Sequence, residues 1–394
     1  MPDTSGTEVR AHQPMTTYLD NAATSHPKPE PVYRALDRFA REEMANPGRA
    51  GHRMSLAAER VLDDARHRLN QFFGGASPDR WILTLNCTDA LNIAIKGIVR
   101  RGDHVVTSTL EHNSISRPLR AMELAGEITL TRVEADEKGL LRLDQLEKAL
   151  ARPARLVAIT HASNVLGTVQ PIDEIGALAR DRGAAFLVDA AQTAGVLPID
   201  VSRSKIDLLA MAGHKGLFGP VGTGALYVAP GQNPKPWREG GTGGDSSSET
   251  QPALYPYHLE GGTPNVLGVA GLVAGLKWLA EKGLQAIHDH EVALARRLVA
   301  GLGGIPGVEV FGTDDWSRRV ATVPFRLETV PVADLGGILD SSFDIAVRPG
   351  LHCAPYVHKA IGTAPEGLVR ASPGPFNTEA DIDALISAVR EIAS

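Results

Sequence analysis

Lys215 stands in Gly213-His214-Lys215-Gly216, directly after the apolar run Asp207-Leu208-Leu209-Ala210-Met211. A lysine buried at a strand's carboxyl end has its ammonium form disfavoured by desolvation, which leaves a nucleophilic amine suited to a Schiff base. Taken alone, Gly-His-Lys-Gly fits a surface turn better. Asp189 changes that balance: it closes the apolar run Ala185-Phe186-Leu187-Val188. A carboxylate there is what a pyridinium nitrogen needs to stay protonated and act as an electron sink. By itself, Asp189 serves equally as a helix N-cap. In Asn86-Cys87-Thr88-Asp89-Ala90, the amides of a helix start and the Thr88 hydroxyl could hold a phosphate. Without glycines the segment is no P-loop, and simple capping is the plainer reading. Glu111-His112-Asn113 ends a further strand, and a lone histidine is usually structural. Thr88, His112, Asp189 and Lys215 nonetheless all fall on strand ends.

Those ends belong to an alternating pattern. Short apolar runs at 81–85, 104–108, 155–160, 185–189, 207–211 and 224–228 are separated by helical segments such as Leu56–Phe73 and Ala90–Val99. Strands apolar on both faces imply a mostly parallel sheet covered on both sides, an α/β fold. Chemistry in such folds collects beyond the carboxyl ends of the strands. The Gly/Pro/Ser-rich stretch 230–264 lacks periodicity and reads as functional or as a linker, its Gly-rich 240–248 segment as part of a functional rim. Beyond it, helical patterns (266–282, 288–302), a strand at 320–325 and a final helix from Glu379 suggest a smaller α+β domain over 266–394. The expected division is a leader over 1–17, a large domain over 18–265 and that smaller one, with 18–30 packing on the latter.

Composition excludes other classes. The chain has 394 residues, 43% hydrophobic and 22% charged, the profile of an ordinary globular protein of about two domains. Forty basic against forty-six acidic side chains leave a net charge of -6, so no nucleic-acid partner is expected. Residues 1–17 are polar, unlike a signal peptide, and no run approaches the ~20 apolar residues of a membrane span. A cytoplasmic protein without a membrane partner is the expectation. Cys87 and Cys353, the two cysteines, make neither a disulfide framework nor an all-cysteine zinc site.

Taken together, YLDNAAT (18–24), EHNS (111–114), THASNVLGT (160–168), VDAAQ (188–192), GHKGLFGPVGTGALY (213–227), GGTPN (261–265), RPGLHCAP (348–355) and VRASPGPFNT (369–378) resemble a known family. It is the class V aminotransferase-like group of fold-type I enzymes dependent on pyridoxal 5′-phosphate, and within it the cysteine desulfurases and selenocysteine lyases. The resemblance runs from Tyr18 to the C-terminus. It implies a large domain with a seven-stranded sheet, a smaller α+β domain and a homodimer. It further implies Lys215 as the lysine that carries the cofactor, Asp189 at the ring nitrogen and His112 on the ring face. Gln192 and Asn164 would lie near the ring oxygen and the substrate. Thr88, Asp89 and His214 would bind the phosphate, with Thr263 from the neighbouring subunit. Arg370, with Arg348, would hold the substrate carboxylate.

By the same resemblance Cys353 is the persulfide-forming cysteine, with His352 and Arg348 favouring its thiolate. Cys87 has no matching role and reads as packing. A metal held by His352, Cys353 and His358 is disfavoured by their crowding, so no metal is expected. The implied reaction converts L-cysteine to L-alanine and passes sulfur from Cys353 to an acceptor protein or thiol, with iron–sulfur cluster assembly among the pathways served. The alternatives are a selenocysteine lyase or cystine C–S lyase on the same fold, and more distantly an aminotransferase or a non-catalytic scaffold. Two departures stand out: Ala212 where relatives often have serine, and Asn86-Cys87-Thr88 in place of Gly-Thr-Thr.

Overall fold

The computed structural model describes residues 16–48, 51–243 and 247–394. The leader expected over 1–17 lies outside the described residues as far as 15, and Thr17 already opens a strand. In chain order the first elements are β1 (Thr17–Tyr18), α1 (Glu30–Glu42), α2 (Arg53–Phe73), β2 (Trp81–Thr84), α3 (Cys87–Ile98), β3 (His104–Ser108), α4 (Asn113–Leu124) and β4 (Thr129–Val133). Then come α5 (Leu143–Ala149), β5 (Leu156–Thr160), α6 (Ile172–Asp181), β6 (Ala185–Asp189), β7 (Leu208–Ala212), β8 (Gly224–Val228), α7 (Val266–Lys282) and α8 (Leu284–Gly303). The chain closes with β9 (Val308–Val310), β10 (Val323–Leu327), α9 (Val332–Phe343), β11 (Ile345–Ala346), β12 (Arg348–Gly350), α10 (Pro355–Ala360), β13 (Leu368–Ala371) and α11 (Glu379–Ala393).

Seven strands form one sheet in the order β2-β8-β7-β6-β5-β3-β4. All run parallel except β8, which is antiparallel to both neighbours. Strands β3, β5, β6, β7 and β8 are buried along their whole length, as a sheet covered on both faces requires. Alternate residues divide between the layers: Phe186 and Val188 enter one core, Ala185 and Leu187 the other. A second, antiparallel sheet of order β12-β13-β10-β9 carries its own core under α8, α9 and α11. The short β1 pairs in parallel with β11, and Leu19 enters that second core.

Around residue 265, where a division is expected, the packing is continuous with the large sheet. Helix α7 is apolar nearly all round and therefore must be buried. It lies against α1 and α2, and sends Leu272, Leu276 and Leu279 into the core of the large sheet. The second core takes its first α8 residue at Leu294. No described helix is long and apolar enough to cross a membrane.

Local chemistry sets the helix ends that matter. Asn86 caps α3 by accepting from the Asp89 amide at 2.9 Å, so the helix begins at Cys87, earlier than its apolar pattern suggests. The His112 ring caps α4 through Nδ1, which accepts from the Ser114 amide at 3.1 Å.

Candidate active site

One cavity of about 210 Å³ gathers side chains from the carboxyl ends of five strands. Thr88 follows β2, His112 follows β3, Asn164 follows β5, Asp189 ends β6, and His214 and Lys215 follow β7. Gln192, Arg348 and Arg370 complete the wall, and Arg370 enters from the small sheet. Gly213 is required in the turn after β7 because a Cβ there would overlap Thr223. The turn is also clamped from the N-terminal segment: the His214 carbonyl accepts from the Ser25 amide (3.1 Å) and from Lys28 Nζ (2.7 Å).

Burial pushes Lys215 down to about 8, and the Arg370 charge adds to that push against Asp189. Its amine is therefore available near neutral pH. Asp189 is 3% exposed, and its Oδ1 accepts from the Ala191 amide at 2.9 Å. The His112 ring is held neutral: burial lowers it to about 4 against the pull of Asp189, and the charges of Lys215, Arg348 and Arg117 add to the lowering. Because Nδ1 accepts the Ser114 amide, the ring proton sits on Nε2. Ser114 Oγ lies 2.8 Å from that Nδ1 and 2.7 Å from Thr88 Oγ1, which links the ring to the start of α3.

Arg348 and Arg370 face each other directly across β12 and β13. Like charges in that register oppose sheet formation, so their retention points to an anion. Asp20 offsets part of the charge: its Oδ1 accepts from Arg370 Nη2 at 2.6 Å. Arg370 Nη1 donates to the Asn164 carbonyl at 3.0 Å, and Nε is buried without a partner among the described residues.

Cys353 is exposed and stands 3.7 Å from Arg348 Nη2, one side chain out from the cavity wall. Both His352 (φ 50°) and Cys353 (φ 58°) adopt the left-handed backbone region, which costs about 1–3 kcal/mol per residue. Two hydrogen bonds hold the loop in place. Asn164 Nδ2 donates to the His352 carbonyl at 2.6 Å, and the Asn113 amide to the Cys353 carbonyl at 2.7 Å.

A family model described as Aminotransferase class-V matches residues 17–385. The chain belongs to the class-V aminotransferase family. A probable cysteine desulfurase of Methanothermobacter thermautotrophicus is 37% identical over 95% of this chain and 94% of its own. A cysteine desulfurase of Salmonella dublin is 32% identical over 95% and 93%. Among solved structures, the apo cysteine desulfurase of Thermococcus onnurineus superposes with a TM-score of 0.90 at 34% identity, covering 96% of this chain and 94% of that one. The cysteine desulfurase CsdA of Escherichia coli, an S-sulfonic acid form, gives 0.86 at 30% identity over 96% and 94%.

Class-V aminotransferases depend on pyridoxal 5′-phosphate, and this cavity fits it. Lys215 offers the amine, Asp189 leaves Oδ2 without a protein donor among the described residues, and His112 presents a neutral ring. At the other end, the first amides of α3 have no acceptor within the helix, and His214 Nδ1 is buried without a partner among the described residues. Ala212 lines the same wall without a hydroxyl, so Thr88, His214 and the helix amides are the groups that would hold a phosphate there. One pH effect follows from Lys215. Cofactor uptake by apo-protein needs the neutral amine, so its rate rises with pH through a midpoint near 8 and then levels. An uptake midpoint near 10.5, the ordinary lysine value, would contradict this placement.

Two expectations need correction. Asp89 does not line the cavity: its carboxylate turns back to accept from the Leu85 amide at 3.1 Å, and a carboxylate would repel a phosphate. His352 brings no charge to Cys353, because burial and the Arg370 charge lower it to about 3 against the opposing pull of the Arg348 carbonyl, 2.9 Å from its Nε2. Gly241, Thr242 and Gly243 line a separate pocket with Thr263, Arg66 and Glu260. The residues that sequence reasoning left without a role are Asp20 and Ser114. Both lie in quoted motifs, YLDNAAT and EHNS, which was the available signal.

Proposed function

We propose that this chain is a pyridoxal-phosphate-dependent cysteine desulfurase that converts L-cysteine to L-alanine and keeps the sulfur as a persulfide on Cys353. The observation that carries the reading is Cys353 itself, the exposed one of two thiols, on an anchored loop 3.7 Å from an arginine of the Lys215 cavity. Arg370 holds the substrate carboxylate through the donors that Asp20 and Asn164 leave free, a job suited to a planar fork. Lys215, once free, takes the Cα proton. Bound pyridoxal phosphate supplies the sink for the electron pair left at that carbon. The Cys353 thiolate, facing Arg348, attacks the substrate sulfur. The S–S bond forms as the Cβ–S bond breaks, and the pair stays with Cβ, which takes a proton. Substrate thiol and enzyme thiol together yield alanine and a persulfide, so no external oxidant is needed. His112 Nε2–H is a hydrogen-bond donor beside the reacting groups, and Lys215, carrying the Cα proton, is the acid that can return it.

Thr263 lies outside its own chain's cavity, which supports a homodimer in which it reaches the neighbour's phosphate. An apolar cleft of about 940 Å³ between α1, α2 and α7, lined by Phe39, Val61, Ala270 and Val273, supports the same assembly. The persulfide passes to an acceptor thiol or protein in the cytoplasm, and iron–sulfur cluster assembly is the pathway that such sulfur suits. We place the division between the two domains within α8, ahead of Leu294.

The test is mass spectrometry of the holoenzyme after one turnover of L-cysteine without reductant. Alanine equal to enzyme, with one extra sulfur atom on the Cys353 peptide alone, supports the reading. Turnover of selenocysteine or cystine with Cys353 unmodified would replace it with a lyase.

A further inference from the structure

We propose that Cys87 is a positioning residue for Asp189: its thiol donates to Asp189 Oδ1 and tunes the hold of that carboxylate on the cofactor's ring nitrogen. The proposal rests on the reading of Asp189 as the ring-nitrogen partner. Cys87 is the first residue of α3, is buried, and lines the same cavity as Asp189 and Lys215. Its Sγ lies 3.4 Å from Asp189 Oδ1, within reach of an S–H···O hydrogen bond.

The thiol is a donor here and not a nucleophile. Burial raises it well above its ordinary value, and the Asp189 charge raises it further against the weaker pull of Lys215. A protonated thiol facing a carboxylate can only donate. Asp189 Oδ1 thereby receives two donors, the Ala191 amide and this thiol, whereas Oδ2 receives none among the described residues. The pair fixes the rotation of the carboxylate and leaves Oδ2 as its free face. A hydrogen-bond donor to a carboxylate also lowers its proton affinity. The Asn86-Cys87-Thr88 sequence thus trades a hydroxyl at the helix start for a weaker, softer donor to Asp189.

The sign follows from that contact. Without the thiol, Asp189 carries fuller negative charge and draws the ring-nitrogen proton more strongly, which leaves the ring less positive. Both changes favour the protonated chromophore, so the pH midpoint of the cofactor's visible absorption moves up. A shift of about half a unit, roughly threefold in proton affinity, is the size expected for one weak donor.

The experiment titrates the visible band of holoenzyme in wild type, Cys87→Ala, Cys87→Ser and Asp189→Asn. Alanine and serine have nearly equal volumes, so their difference reports the donor and not the packing. The expected result is a raised midpoint in Cys87→Ala, return toward wild type in Cys87→Ser, and a larger shift in Asp189→Asn. If Asp189→Asn shifts the band but the two Cys87 variants titrate alike, Cys87 is filler and the proposal is overturned. If Asp189→Asn leaves the midpoint unmoved, the reading of Asp189 fails instead, and the proposal with it. Should Cys87→Ala not fold, Cys87→Val against Cys87→Thr, which share a shape, makes the same comparison.

Discussion

Cys353→Ala is expected to retain the visible chromophore and to lose alanine formation from L-cysteine by about three orders of magnitude or more. The loss is in kcat, because the thiol meets the substrate sulfur only in the reacting geometry and supplies none of the carboxylate binding. Folding is spared: the backbone there is held by the Asn113 amide and the Asn164 side chain, neither of which touches the thiol. Cys353→Ser is expected to be as inactive as the alanine variant, since a hydroxyl beside Arg348 has no comparable affinity for sulfur. Alanine and sulfide assays on both variants, with the absorption spectrum as the check on cofactor content, decide the matter. Undiminished turnover in Cys353→Ala would remove the persulfide step altogether.

Arg370→Ala carries the second large effect, on KM and on stability together. Losing the fork removes the substrate carboxylate's main partner, for which about two orders of magnitude in KM is the expected rise. It also strands Asp20, whose carboxylate is 20% exposed and pairs with Arg370 alone among the described cations. Leaving one partner of so buried a pair uncompensated costs about 3–5 kcal/mol. Arg370→Lys is not expected to rescue either property, because one ammonium cannot reach Asp20, the Asn164 carbonyl and a substrate carboxylate at once. Removing Asp20 as well should recover much of the stability and none of the KM. Steady-state kinetics and thermal melts of the three variants separate these outcomes. A KM for L-cysteine unchanged in Arg370→Ala would mean that Arg348 or another group holds the carboxylate.

Much of this was legible before any coordinates, and the gaps have physical causes. The buried strands β3, β5, β6, β7 and β8 announce themselves as apolar runs because both faces are covered. Strand β4 does not: as an edge strand with only Val133 buried, Thr129–Val133 lacks that signature. The lone antiparallel strand, β8, has no mark in its own sequence, since direction is set by the connection that precedes it. Helix α8 begins at Leu284, ahead of its apolar pattern, because Gly283 at φ 84° ends one helix and admits the next. Asp89 was misplaced because a helix's first turn points some side chains at the ligand and others back at the cap. His352 was misjudged because its charge depends on burial, which sequence does not report. The Cys87–Asp189 contact joins residues 102 positions apart and leaves no local trace.

The strap formed by residues 17–28 bears on how the molecule is made. It pairs with β11, binds Arg370 through Asp20, and accepts and donates around Ser372 and His214. Several of those partners lie some 350 positions later in the chain. A ribosome delivers the strap some 350 residues ahead of those partners, so the cavity cannot close before β13 has emerged. The large sheet can condense early, but a competent cofactor site waits for β13, and a nascent or truncated chain ending before β13 lacks the arginine that Asp20 awaits.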